Sequence, residues 1–271
     1  MAEHHRVQVM GILNLTPDSF SDGGLHLAPE RALAQARALI AAGADILDVG
    51  GESTRPGAAP VDEAEEIARV APVIAAVRAE SDIPISIDTM KPGVARAAMA
   101  AGATLWNDVA ALRFAPEGLD VAAALSCDVV LMHMQGEPRT MQLDPRYDDV
   151  VAEVCEFLVA RAEAAMAAGV ARQRIWLDPG IGFGKRLEHN LALLAHLDEV
   201  VALGFPVLLG ASRKGFIKAL DPASPEPDGR LGGSLAAALA GAAAGVKAVR
   251  VHDVAATAQA LRVWDAVSRA R

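Results

Sequence analysis

Asn14, Asp88 and Asp178 each close a short apolar run, at residues 10–14, 85–88 and 175–178, and the run 249–253 carries Arg250, His252 and Asp253. Asn107 and Lys214 stand at the ends of two further runs, and Arg55 follows the glycine pair 50–51. A carboxylate ending an apolar stretch is costly unless donors meet it. Asp88 and Asp178 therefore read in two ways: as caps of the helices that follow, or as acceptors for a ligand rich in N–H groups. A flat heterocycle with a ring N–H and an exocyclic amino group supplies such donors. A carboxamide such as Asn107 reads a mixed edge, and Lys214 donates to a ring carbonyl. Arg55, Arg250, His252 and Asn14 suit a different partner, because guanidinium forks match phosphate oxygens. Asn14 also suits a hard cation such as Mg2+, which takes few protein oxygens and keeps water and phosphate as ligands.

The elements that must position these residues are legible as a repeat. Apolar runs begin near Val7, Asp45, Ile83, Thr104, Asp128, Ile175, Phe205 and Lys247, and most are separated by Ala-rich stretches of helical length. Strands alternating with helices imply βαβ units and a parallel sheet. Gly43, Gly102, Gly169, Gly204 and Gly245 each stand where a helix stops and a strand begins, as a helix C-terminus requires. We expect an α/β fold, a single (β/α)8 TIM barrel, in which all C-terminal strand ends open on one face and build the active site. Closure makes strands 8, 1 and 2 neighbours. Asn14, Arg55, Arg250 and His252 then form an anion sector, while Asp88, Asn107, Asp178 and Lys214 form a heterocycle sector.

The strand-to-helix joints at 14–28, 50–60 and 134–147 are long and polar. Residues 221–229 read as a surface loop in the seventh unit. The helix 234–245 is almost entirely Ala, Leu and Gly, and a helix apolar all round is buried all round. On a barrel's outer ring this predicts a subunit interface, hence a homodimer.

The 271 residues fit one barrel domain, 1–271 with a core of about 7–267, since no linker with a composition shift divides them. No apolar run approaches the ~20 residues that span a bilayer. The first residues lack the basic-then-apolar pattern of a secretory signal, so a cytoplasmic protein without a membrane partner is expected. A net charge of −9 argues against a nucleic-acid surface. Cys127 and Cys155 form no metal or redox pattern and read as buried or half-buried thiols. The stretch GIGFGK at 180–185 is not a Walker A loop, because Pro179 and Arg186 occupy two of its required positions. His4 and His5 read as a disordered terminus, residues 132–134 (Met-His-Met) read equally as packing or ligand, and no nucleophilic triad is recognisable.

Taken together, GILNLTPDSFSDGG at 11–24, DVGGESTRPG at 48–57, IDT at 87–89, ND at 107–108, LMHMQG at 131–136, DPGIGFGK at 178–185, SRK at 212–214 and RVHD at 250–253 resemble the dihydropteroate synthases, a family of pterin-binding barrels. Their order and number are specific, and the resemblance covers nearly the whole chain. It implies a Mg2+-dependent condensation of 6-hydroxymethyl-7,8-dihydropterin pyrophosphate with p-aminobenzoate, releasing pyrophosphate. Asp88, Asn107, Asp178 and Lys214 would hold the pterin, and Asn14, Arg55, Arg250 and His252 the pyrophosphate, with Asn14 at the metal. Asp88, Lys214, Arg55 and His252 would carry the catalysis. Thr54, Pro56, Phe183, Ser212 and the stretch 16–24, including Phe20, would shape the p-aminobenzoate side. Gly215 departs from the family, many of whose members have Ser after the Arg-Lys pair. The rival readings are a non-catalytic pterin-binding paralogue and a pterin-dependent methyltransferase; the latter needs no pyrophosphate pocket.

Overall fold

The computed structural model describes residues 6–15, 28–53, 59–137 and 140–270. Eight strands, β1 (Gln8–Asn14), β2 (Ile46–Gly50), β3 (Ile85–Asp88), β4 (Leu105–Asp108), β5 (Asp128–Met132), β6 (Ile175–Asp178), β7 (Leu208–Leu209) and β8 (Ala248–Val251), pair in parallel. Their order is β6-β5-β4-β3-β2-β1-β8-β7, and a bridge between Leu177 and Val207 brings the two ends together into a barrel. Around it lie α1 (Ala28–Ala41), α2 (Glu63–Glu80), α3 (Pro92–Ala101), α4 (Gly118–Leu125), α5 (Val150–Ala167), α6 (Leu187–Ala195), α7 (Leu197–Val201), α8 (Gly215–Leu220), α9 (Leu231–Ala244) and α10 (Val254–Arg269). Every expected strand is present. β7 starts three residues later than its apolar run because Pro206 has no N–H to give to a ladder.

Local chemistry sets the helix starts. Asp149 caps α5 by accepting from Val151 N and Ala152 N at 3.0 and 3.1 Å, and Asp62 caps α2 through Ala64 N. At the other ends, the five joint glycines all have positive φ, from 76° to 112°.

Two cores result from strand alternation. One lies between the barrel wall and the helices. The other joins Met10, Ile46, Leu105, Val130, Trp176, Leu208 and Ala248, one from each of seven strands, and fills the barrel floor. Two residues further along the same chains stand Ile12, Asp48, Asn107, Met132, Asp178, Gly210 and Arg250. Two more reach Asn14, Gly50, Val109, Met134, Gly180, Ser212 and His252. A period of two keeps a strand's alternate side chains on one face, so an apolar layer supports a layer of chemistry and then a rim.

α9 packs one face on the barrel and leaves the other uncovered. Ser234, Ala237, Ala238 and Gly241 are buried, but Leu231, Gly232, Ala236, Ala240 and Ala243 are exposed in the single chain. Small side chains make this helix apolar all round without being covered all round. The loop at 221–229 lies in the seventh unit as expected. Cys127 is buried, its pKa pushed up to about 11 by that burial, and Cys155 is half-buried. Among the described residues, no helix is long and apolar enough to cross a membrane.

Candidate active site

A cavity of about 920 Å³ opens at the C-terminal ends of the strands. Its lining includes Asn14, Asp88, Asn107, Asp178, Phe183, Ser212, Lys214, Arg250 and His252, so the candidate residues that are described converge on one space. Thr54, Arg55, Pro56 and the stretch 16–24 with Phe20 lie outside the described residues, as do His4 and His5.

Neither Asp88 nor Asp178 caps a helix. Asp178, the buried last residue of β6, accepts from Gly180 N at 2.7 Å, and α6 begins only after Arg186. Asp88 accepts from Arg250 Nη2 at 2.7 Å through Oδ2, while its buried Oδ1 has no hydrogen-bond partner. Burial pushes the Asp88 carboxyl up to about 7 against the pull of Arg250, and burial likewise raises Asp178 against the Gly180 N–H. Such groups gain most from a ligand that donates hydrogen bonds. Lys214 stands at the N-terminus of α8 with its Nζ 4.0 Å from the centre of the Phe183 ring. Burial, with Arg250 nearby, lowers its pKa to about 8 against Asp178 and Asp88. Gly210 leaves the floor open, since a Cβ there would lie 3.8 Å from Asp178 Oδ2 and 4.0 Å from Arg250 Cβ.

The two expected sectors meet at Arg250. Its Nε donates to Asp48 Oδ2 at 2.5 Å while Nη2 holds Asp88. Burial opposes the Arg250 charge, and the two carboxylates more than offset it, holding its pKa above the usual value. His252 and Ser212, assigned to opposite substrates by resemblance, are joined: Ser212 Oγ lies 3.1 Å from His252 Nδ1 and accepts from His252 N at 3.2 Å. Asp253 precedes α10 and binds Arg213 Nη2 at 2.7 Å.

The turn after β7 is bent hard. Arg213 has φ 59°, a left-handed conformation that is strained for a side-chain-bearing residue. It is held by its N–H on Ser234 Oγ at 2.9 Å, by Arg230 Nη1 on its carbonyl at 2.8 Å, and by Asp253. The bend brings both Ser212 and Lys214 to the cavity. The turn after β6 is fixed differently. Lys185 Nζ meets the carbonyls of Gly180 and Phe183, each at 3.0 Å, and His133 Nδ1 at 2.9 Å. Burial lowers Lys185 to about 7 and His133 to about 3. This lysine braces the turn, and His133 packs edge-on against Phe157.

Sequence reasoning did not single out Asp48, Arg213 or the cluster of Lys91 with Glu66 and Glu52, and weighed Lys185 only as part of a Walker A pattern. Lys91 Nζ binds buried Glu66 at 2.5 Å and also Glu52, whose other oxygen accepts from Val61 N at 3.3 Å. The available signal for Asp48 was a carboxylate inside the otherwise apolar run 46–49. For a cation, Asn14 Oδ1 and Asp88 Oδ2 lie 3.7 and 3.9 Å from where a Cβ on residue 50 would sit. Gly50 thus keeps the space between two oxygens open, which fits a hard ion with few protein ligands. Among the described residues there is no cluster of three His, Cys, Asp or Glu side chains able to hold a metal.

The chain matches the pterin-binding enzyme family over residues 10–252. It is 52% identical to the dihydropteroate synthase of Neisseria meningitidis serogroup B, over 96% of this chain and 92% of that one. Among solved structures it is similar to the Xanthomonas albilineans dihydropteroate synthase with 4-aminobenzoic acid (TM-score 0.91, 53% identity, 97% and 93% of the two chains). It is also similar to that enzyme in complex with 7,8-dihydropteroate (TM-score 0.88, 50% identity, 97% and 94%). With its barrel, its cavity and these relatives, the chain belongs to the dihydropteroate synthase family.

Proposed function

We propose that the chain condenses 6-hydroxymethyl-7,8-dihydropterin pyrophosphate with p-aminobenzoate to give 7,8-dihydropteroate and pyrophosphate. One observation carries the reading: Asp88, one of whose buried oxygens has no partner, lines the same cavity as Arg250, His252 and Asn14. Asp88, Asn107, Asp178 and Lys214 bind the pterin; Asn14, Arg55, Arg250 and His252 bind the pyrophosphate; Thr54, Pro56, Phe183, Ser212 and Phe20 border the amine. Asn14 would hold Mg2+, which when bound would neutralise charge on the leaving group.

An aryl amine is neutral at pH 7, so the site needs no base for the nucleophile. The demanding event is the loss of pyrophosphate from the pterin methylene. Arg55, Arg250 and His252 stabilise the departing charge, and Asp88, beside the ring, stabilises the developing pterin cation. Pyrophosphate therefore leaves before the amine attacks. The cationic residues argue against a methyltransferase, and an intact set of them against a binding-only paralogue. The working form is a cytoplasmic homodimer.

Purified protein with both substrates and Mg2+ is expected to form dihydropteroate and pyrophosphate; folded protein that forms neither is the binding-only paralogue. Substrate labelled at the bridging oxygen is expected to scramble its label with Mg2+ and no amine. Scrambling that appears only with a dead-end amine analogue would overturn the stepwise order.

A further inference from the structure

Of the chemistry layer inside the barrel, Asp48 alone does not line the cavity, although it is fully buried. Its Oδ2 takes Arg250 Nε at 2.5 Å and Asn107 Nδ2 at 3.4 Å, and its Oδ1 has no partner. A guanidinium pairs best with a carboxylate through two parallel N–H bonds. Arg250 does not do this with Asp88: Nη2 reaches Asp88 Oδ2 at 2.7 Å, Nε is taken by Asp48, and Asp88 Oδ1 stays unpaired.

We propose that Asp48 is a positioning residue: by occupying Arg250 Nε it prevents the fork from closing on Asp88, and so keeps Asp88 Oδ1 unpaired for the pterin. The inference rests on the pterin pocket assigned above. Without Asp48, Arg250 turns its Nε edge onto Asp88 and covers the acceptor that the ring needs. The effect falls on the ring, because Asp48 does not itself line the cavity and its removal takes a negative charge away from the anion site.

The test measures binding by calorimetry, with 6-hydroxymethylpterin and, separately, with inorganic pyrophosphate plus Mg2+. Asp48→Asn is expected to weaken pterin roughly ten-fold or more, the scale of one charged hydrogen bond, while pyrophosphate binds as well as before or more tightly. In an Arg250→Gln background, where no fork exists to close, adding Asp48→Asn is expected to change pterin affinity by less than about two-fold. Unchanged pterin binding in Asp48→Asn overturns the proposal. So does a loss of the same size with and without Arg250, or a joint fall in pterin and pyrophosphate binding. Asp178→Ala separates the two levels: if it leaves pterin affinity intact, the pocket assignment fails and takes this inference with it. If it weakens pterin while Asp48→Asn does not, only the inference fails. If Asp48→Asn does not fold, unfolding decides the matter. Arg250→Gln leaves two carboxylates uncompensated and is expected to be less stable than Arg250→Gln with Asp48→Asn; equal or reversed stabilities overturn the proposal.

Discussion

At the scale of single residues, the site is a set of charges kept short of partners. Asp178 gives one oxygen to Gly180 N and faces the cavity with the rest of its carboxylate. Asp178→Ala would leave ligand donors unpaired in a buried site, and is expected to cost about 2–4 kcal/mol of pterin affinity by calorimetry. The pH dependence follows from two neighbours. Asp88, raised to about 7 by burial, acts as an acceptor once ionised, so kcat/KM is expected to rise as pH increases through about 7. Lys214, lowered to about 8 by burial and Arg250, gives up its proton above that value, so kcat/KM then falls. Lys214→Arg keeps the charge to higher pH and should move the alkaline limb upward while the acid limb stays; an unmoved alkaline limb would remove Lys214 from the assignment. The candidate residues were legible because each ends an apolar run, and a charge in that place needs a reason. Asp48 was not, because it sits within the run and only the pairing of β2 with its neighbours turns it toward Arg250.

At the scale of elements, strand alternation delivers the chemistry and turns aim it. The eight apolar runs and the joint glycines were readable because their physical causes, period-two burial and left-handed helix ends, are local. The turn Ser212-Arg213-Lys214 was not readable as a bend. Its strain at Arg213 is sustained by Ser234, Arg230 and Asp253, which lie 17 to 40 positions away in sequence. The all-apolar pattern of α9 did not say which of its faces packs on the barrel, since alanine satisfies a buried and an exposed position alike. Just beyond the bend, Gly215 opens α8 with nothing within 4 Å of where its Cβ would be. Gly215→Ser therefore meets no steric barrier and adds a hydroxyl beside Lys214. It is expected to lower KM for p-aminobenzoate by roughly three- to ten-fold, the size of one neutral hydrogen bond, and steady-state kinetics with the amine varied would show it.

For the whole molecule, the outer face of α9, with Leu231, Ala236, Ala240 and Ala243, remains exposed, and α10 exposes Val263 and Val267 at 60% and 52%. Sedimentation at micromolar concentration is expected to give a dimer, and Ala240→Glu to shift it towards monomer; a wild-type monomer would remove α9 from the assembly argument. The barrel wall itself is uneven. β1 and β2 share five paired positions, whereas β7 is two residues long and touches β6 through one bridge at Leu177 and Val207. A seam with so few ladder bonds is where local opening begins, because the free energy of opening tracks the bonds and contacts that must break. Asp178 ends one side of this seam and Lys214 follows the other, so a pterin held by both ties the two edges together. Amide exchange at Leu177 and Leu209 should then be the fastest of the strand interiors in the free protein and slow the most when pterin binds, the ligand serving as a missing rung of the sheet.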